Sequence, residues 1–465
     1  MQFKKNKMKT SMPQQKPEER IKNFDEVNLG YDEKSAIKEA SRCLQCKKPV
    51  CIDGCPVKIN IPKFIKQIKD KKFNDAIKTI KEQNFLPKVC GRVCPQETQC
   101  EEKCILAKKK QAVAIGYLER FAGDNEKSFD IPKIKKISKK IAVVGSGPSS
   151  LTCAAKLALM GHNVKLFEAL HKTGGVLRYG IPEFRLPKKI VDDEINYIKK
   201  LGVEIEINAV IGRTISLDEL SNEYDAIFIG TGAGLPYFMH IPGENLNGVY
   251  SANEFLTRIN LMKANEFPKT KTPIKKAKKT IVVGGGNVAI DAARTARRLG
   301  SDVTVVYRRS FDEMPGRIEE IEHAREEGIN FLMLTNPTKI LGEKIVTGIE
   351  CQQMMLGEMD SSGRRTPLPI EDSEFSLECD QVIIAIGQGI NPLLARNSEL
   401  RTGMRGSIDV NEKYQTSNPK IFAGGDVIGQ EATVIKAMAD GKNAASAIDA
   451  FLRGELKDDG SNRAE

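Results

Sequence analysis

Eight of the chain's 11 cysteines fall between Cys43 and Cys104, in two groups whose spacing suits metal chemistry. Cys43, Cys46, Cys51 and Cys55 read C-x2-C-x4-C-x3-C and are followed by Pro56. Cys90, Cys94, Cys100 and Cys104 read C-x3-C-x5-C-x3-C, with Pro95 after Cys94. Clustered thiols in a reducing compartment point to metal rather than disulfides. Zinc favours two C-x2-C knuckles, and only one pair here has that spacing. Close thiolates before a Cys-Pro step resemble ferredoxin-type iron–sulfur runs, although the x4 gap departs from the bacterial ferredoxin spacing. Two [4Fe–4S] clusters are therefore expected, with zinc and structural thiols as the alternatives.

A second chemistry is written in glycines. After the apolar run Ile141–Val144 come Gly145, Gly147, Pro148, Ser149 and Ser150, then a helical pattern, then Val164–Phe167 ending at Glu168. The first glycine allows a tight turn, and the second lets backbone N–H groups approach a pyrophosphate at a helix start. Glu168 is placed to accept hydrogen bonds from a ribose diol. The pattern recurs as Ile281–Val283, Gly284, Gly286, Asn287, Val288 and Ala289, with a second strand at Val303–Tyr307. Here Arg308 and Arg309 stand where the first unit has its acid. Guanidinium groups bind a 2′-phosphate that a carboxylate would repel, so this unit is expected to take NADPH. Near the end, KIFAGGDVIG sets Asp426 after a strand and before a helical run over Glu431–Phe451. Alone it reads as a helix cap; beside the first fingerprint it reads as a contact to a flavin's ribityl hydroxyls.

Positioning these groups requires an α/β chain: a helical N-terminal iron–sulfur domain followed by two nested Rossmann-like dinucleotide-binding domains. Phe64, Ile65 and Ile68, then Phe73, Ile77 and Ile80, recur at helical spacing around the cysteines. Asp225–Gly234 and Cys379–Gly389 each read as a buried strand ending in glycines, and so as crossings between the two folds. The expected boundaries are a flexible basic N-terminus over 1–22, the cluster domain over 23–130, a discontinuous FAD domain over 139–245 and 390–455, and an NADPH domain over 246–389.

Composition narrows the function. With 465 residues the chain has ample core, and no apolar run approaches the length of a membrane-spanning helix. Its first twenty residues lack the apolar stretch of a signal peptide, which points to the cytoplasm. The net charge of +11 is spread out and Trp is absent, so nucleic-acid binding is not expected. The nicotinamide fold has no C-x2-C, which excludes a dithiol relay. His162, His171, His240 and His323 form no triad or metal motif. Hydride transfer needs alignment rather than an acid–base pair, so no catalytic side chain is expected.

Taken in order, CLQC, CIDGCPV, VCGRVCPQE, IGYLERF, GSGPSS, GGVLRYGIPEFRLPK, GGGNVAIDAARTARRLG and AGGDVIG resemble the small (β) subunit of NADPH-dependent glutamate synthase. They are similar too to the large subunit of the electron-bifurcating NADH-dependent ferredoxin:NADP oxidoreductase and to the N-terminal half of dihydropyrimidine dehydrogenase. The resemblance implies FAD on the first fold, NADPH on the second, and two [4Fe–4S] clusters. It implies one cluster on Cys43, Cys46, Cys51 and Cys104, and another on Cys55, Cys94, Cys100 and Glu119, leaving Cys90 a buried spectator. It places Gly174, Gly175, Val176, Leu177, Arg185 and Thr433 at the FAD site, and Gly387 and Gln388 near the nicotinamide. The implied partner is a large FMN-containing glutamate synthase subunit making glutamate from glutamine and 2-oxoglutarate. A small flavin and [2Fe–2S] subunit is the alternative, with ferredoxin as a further acceptor. A non-catalytic iron–sulfur scaffold sensing nucleotide is the reading from a different class.

Overall fold

A computed structural model describes residues 8–456 apart from 110, 128–130, 361–362 and 430–432. The amino-terminal part is helical where apolar residues recur at three and four. Asn60 caps α1 (Ile61–Lys69), which buries Phe64, Ile65 and Ile68 and leaves Lys63, Lys66 and Lys69 in solvent. Helix α2 (Phe73–Lys81) buries Ile77 and Ile80, and its Phe73 meets Phe121 edge-on at 5.1 Å. Helices α3 (Pro87–Val93) and α4 (Ile115–Asp124) complete the unit. Gly91 is required between them, since a Cβ there would fall 2.5 Å from the Arg120 backbone nitrogen.

Residues 1–7 of the expected flexible N-terminus lie outside the described residues, and the rest of it is anchored at Thr10, Met12 and Arg20. Thr10 N donates to Glu39 Oε2 at 2.8 Å, and Arg20 is 1 % exposed. The tail looked solvated because its charges are basic; the correction comes from Glu326 and Glu327, more than 300 residues away, which take the Arg20 guanidinium.

The first parallel sheet comprises β1 (Lys140–Val144), β2 (Asn163–Glu168), β3 (Glu204–Ile207), β4 (Ala226–Ile229) and, much later, β13 (Ile421–Ala423). Its order is β13-β4-β1-β2-β3. Strand β1 is apolar because both faces are covered, by α5 (Pro148–Leu159) and α8 (Val434–Leu452) on one side. Between β4 and β13 the chain builds a second parallel sheet, so the folds are nested. It orders β5 (Val249–Ser251), β12 (Gln381–Ile384), β6 (Lys279–Val283), β7 (Asp302–Tyr307) and β8 (Asn330–Met333), with α6 (Asn287–Arg298) after β6 and α7 (Ile318–Glu326) after β7. An antiparallel sheet of β9 (Thr335–Gly342), β10 (Val346–Met359) and β11 (Arg365–Glu378) extends from this fold. The two crossings between the folds pair with each other, Ala233–Pro236 against Gln388–Ile390. Among the described residues no helix is long and apolar enough to cross a membrane.

Candidate functional site

Cys43, Cys46, Cys51 and Cys104 line one cavity whose other walls include Leu44, Val50, Ile61, Ile65, Ile105 and Val113. Burial pushes the Cys43 thiol up, and pushes Cys51 up to about 12 with help from Cys43 and Cys104. The second set gathers deeper. Cys55, Cys94 and Cys100 each feel Glu119, and Cys100 also feels Cys55 and Cys94. Burial raises Cys55 to about 11 and Glu119 to about 8, while Cys94 is raised first by its hydrogen bond with Cys90 and then by burial. Such groups lose their protons to metal. Soft thiolate donors around an apolar cavity suit an iron–sulfur cluster.

The donor set has a support that spacing did not reveal. Asn84 Nδ2 donates to Glu119 Oε1 at 2.7 Å, aiming the carboxyl, and Asn84 Oδ1 accepts from Leu86 N at 2.8 Å. Cys90 is fully enclosed, with Sγ 3.4 Å from Met438 Sδ of α8 and 3.8 Å from Asn84 Oδ1.

At the first glycine turn, a Cβ on Gly145 would fall 2.6 Å from Gly230 O, whereas the space beside Gly147 is open. Pro148 opens α5, and Ser149 is buried behind the turn. Gly174 and Gly175 have positive φ, and a Cβ on Gly175 would meet Gly147 Cα at 2.8 Å, so Val176 and Leu177 start a short helix hard against the turn. Ser146 was not singled out from the sequence; its Oγ bonds Glu168 Oε2 and accepts from Gly174 N at 2.9 Å, tying the acid to the loop. Asp426 is pushed up to about 6 by burial and by Asp440, whose Oδ2 accepts from Gly425 N at 3.0 Å. Thr433 caps α8, accepting from Lys436 N at 3.4 Å. These features leave open space beside Gly147, and Glu168 and Asp426 both bear on the Tyr179 hydroxyl.

Arg185 reaches the nicotinamide fold. Its Nη1 donates to Asp291 Oδ1 and Oδ2 at 2.8 and 2.7 Å, and its Nε lies 3.1 Å from Glu320 Oε1. Both carboxylates are buried, and Arg185 thereby ties the folds together. Lys188, at the start of the helix that follows, donates to the carbonyls of Leu177, Ile181 and Leu186.

At the second turn Gly284 has φ +140° and Gly286 caps α6, leaving Asn287 and Val288 exposed over the helix start. The two arginines after β7 separate. Arg308 is exposed and has no ion-pair partner among the described residues, whereas Arg309 is buried and donates from Nη2 to Asp360 Oδ2 at 2.7 Å. Gly387 and Gln388 lie at the crossing, where Gly387 O accepts from Tyr237 N at 3.1 Å. His162 bonds Asp449 at 2.8 Å within the core, and His323 is buried beside Glu320.

Residues 20–131 match the family described as dihydropyrimidine dehydrogenase domain II, 4Fe-4S cluster, and residues 139–441 match the pyridine nucleotide-disulphide oxidoreductases. The glutamate synthase [NADPH] small chain of Halomonas elongata is 35% identical over 95% of this chain and 96% of its own. The NADP(+)-dependent formate dehydrogenase subunit beta of Moorella thermoacetica is 38% identical over 87% of this chain, which spans 60% of that protein. Among solved structures, Mycobacterium tuberculosis FprA in complex with NADPH superposes with a TM-score of 0.58 at 21% identity, over 69% of this chain and 87% of that one, a likeness of fold. The chain belongs to the family of the NADPH-dependent glutamate synthase small subunit and is an NAD(P)-dependent flavin and iron–sulfur oxidoreductase.

Proposed function

We propose that the chain draws electrons from NADPH and delivers them singly, through two [4Fe–4S] clusters, to the large FMN-containing subunit of glutamate synthase in the cytoplasm. FAD, when bound by Gly145, Gly147 and Glu168, would supply the conversion between two-electron and one-electron transfer. The chain's residues set the geometry. Gly145, Gly147 and Glu168 hold the first dinucleotide, and Gly284, Gly286 and Arg308 the second. Arg185 fixes one fold against the other. Cys43, Cys46, Cys51 and Cys104 carry one cluster, and Cys55, Cys94, Cys100 and Glu119 carry the other.

One observation carries this reading: the flavin fold's helix α8 packs against the residues that flank the Glu119 set. Lys442 Nζ donates to Val57 O, two residues after Cys55, at 2.8 Å, and Met438 Sδ touches Cys90 Sγ at 3.4 Å. Anaerobic addition of NADPH to the reconstituted protein should bleach the flavin absorbance and bring up the EPR signal of reduced clusters. A flavin indifferent to NADPH refutes the proposal. Native purification decides the partner: a very large FMN subunit is expected, and a small flavoprotein with a [2Fe–2S] cluster would identify the bifurcating enzyme instead.

A further inference from the structure

Residues 315–319, which lead into α7, lie between the second glycine turn and the Glu119 set. On one side Gly316 N donates to Gly285 O at 3.2 Å and Arg317 N donates to Asn287 Oδ1 at 2.9 Å. This stretch therefore rests on the helix start expected to hold the nucleotide's phosphates. On the other side the Arg317 guanidinium donates to Arg92 O at 3.0 Å and to Gln96 Oε1 at 3.3 Å, two residues before and two after Cys94. Gln96 in turn donates to Cys90 O at 3.2 Å. Glu319 pairs with Arg317 at 2.8 Å and accepts from Tyr117 Oη at 2.8 Å, two residues before Glu119 on α4. The Cys94 loop and the Glu119 helix thus both contact one short stretch that also touches the nucleotide helix. Arg317 is buried and is also paired with Glu97 at 3.3 Å, so shielding by water is weak there and the balance of this charge against its two carboxylates is set by position.

We propose that Arg317 and Glu319 couple occupancy of the nucleotide-phosphate site to the redox state of the cluster held by Cys55, Cys94, Cys100 and Glu119. This rests on the site assignments above. Arg317 is the positioning residue: anion binding at Asn287 moves a stretch whose side chain fixes both the Cys94 loop and a buried positive charge beside it. A displaced charge changes how readily the cluster takes an electron, and linkage requires the reverse effect on nucleotide affinity.

The test uses reconstituted holoenzyme and adenosine 2′,5′-bisphosphate, which carries both adenosine phosphates and no nicotinamide, so it exchanges no electrons. Its Kd is measured anaerobically by calorimetry with the clusters oxidised and after reduction by titanium(III) citrate, the cluster state being read by EPR. The two Kd values should differ at least threefold, equivalent to a potential shift of about 28 mV at 59 mV per tenfold for one electron. Arg317→Gln should bring the ratio to one. Tyr117→Phe, which keeps Arg317 and removes only the bond to Glu319, should lower it partway, and decides the matter alone if the first variant fails to fold. Equal Kd values in the unmodified protein overturn the proposal. A ratio that survives the substitutions also overturns it, because it then originates at the flavin. Absence of binding, or of any cluster signal, refutes the site assignments and the coupling with them.

Discussion

Arg20→Met tests how the N-terminal segment is anchored. The Arg20 side chain is 1% exposed, with Nε donating to Glu327 at 2.8 Å and Nη2 donating to Glu326 at 2.8 Å and to His323 O at 3.1 Å. Methionine keeps the stem and removes the charge. Breaking a buried ion pair costs about 3–5 kcal/mol when the survivor is left without compensation. Glu327 would keep Arg294 and Arg298, at 2.6 and 2.7 Å, so the lower end applies, about 3 kcal/mol. At about 1.4 kcal/mol per tenfold, local opening of the segment rises about a hundredfold. Hydrogen exchange reads this at the amides of Gln15, Val27 and Leu29, which donate to Val27 O, Phe184 O and Pro13 O. Protection there should fall by about two decades while β1 and β6 stay protected. A change below about threefold would show that Arg20 contributes no anchoring and that the apolar contacts of Met12 and Val27 suffice.

The remaining predictions concern the ligands, the nucleotide and the flavin loop. Cys90→Ala should keep the iron and sulfide of both clusters, whereas Cys100→Ala should lose those of one; iron loss in the Cys90 variant would overturn the ligand set. Arg308→Ala should raise the KM for NADPH by roughly ten- to a hundredfold, the value of a charge-assisted contact of about 1.5–3 kcal/mol, and leave the KM for NADH unchanged; equal effects on both nucleotides would remove its phosphate role. Burial lowers the Lys188 ammonium from 10.5 to about 7, so the unfolded chain binds the extra proton between those values. Stability from this group therefore rises with pH above about 7, by up to about 1.4 kcal/mol per unit, and denaturant titrations of Lys188→Met should lose that rise. An unchanged slope would mean that Lys188 titrates as an exposed lysine.

What could be read from the sequence was local chemistry. Cysteine spacing exposed the metal-binding domain, and glycine turns between strand and helix exposed both dinucleotide folds, because those requirements act over a few residues. Strand ends shifted by only one or two positions, as when Ile141–Val144 became Lys140–Val144. Glu119 carries no such signal, and only the family resemblance singled it out. Asn84, Arg317 and Arg20 stayed hidden because their partners lie 35, 225 and 307 residues away. Arg185 was singled out by the resemblance and Arg309 by pattern, yet each pairs with a carboxylate that neither announced. The basic N-terminal segment misled for the same reason: its counter-charges belong to α7 and the turn after it.

The ladder between Ala233–Pro236 and Gln388–Ile390 brings the entry and exit of the nicotinamide module side by side. That module therefore leaves and rejoins the chain at one joint, like a cassette. Exchanging everything between the two strands for a homologous unit of different coenzyme preference would require matching this short antiparallel joint, the carboxylates Asp291 and Glu320 that receive Arg185, and the residues that meet Arg20, Arg92 and Tyr117. A chimera that keeps the joint but lacks those partners should hold its two dinucleotide folds less firmly against each other.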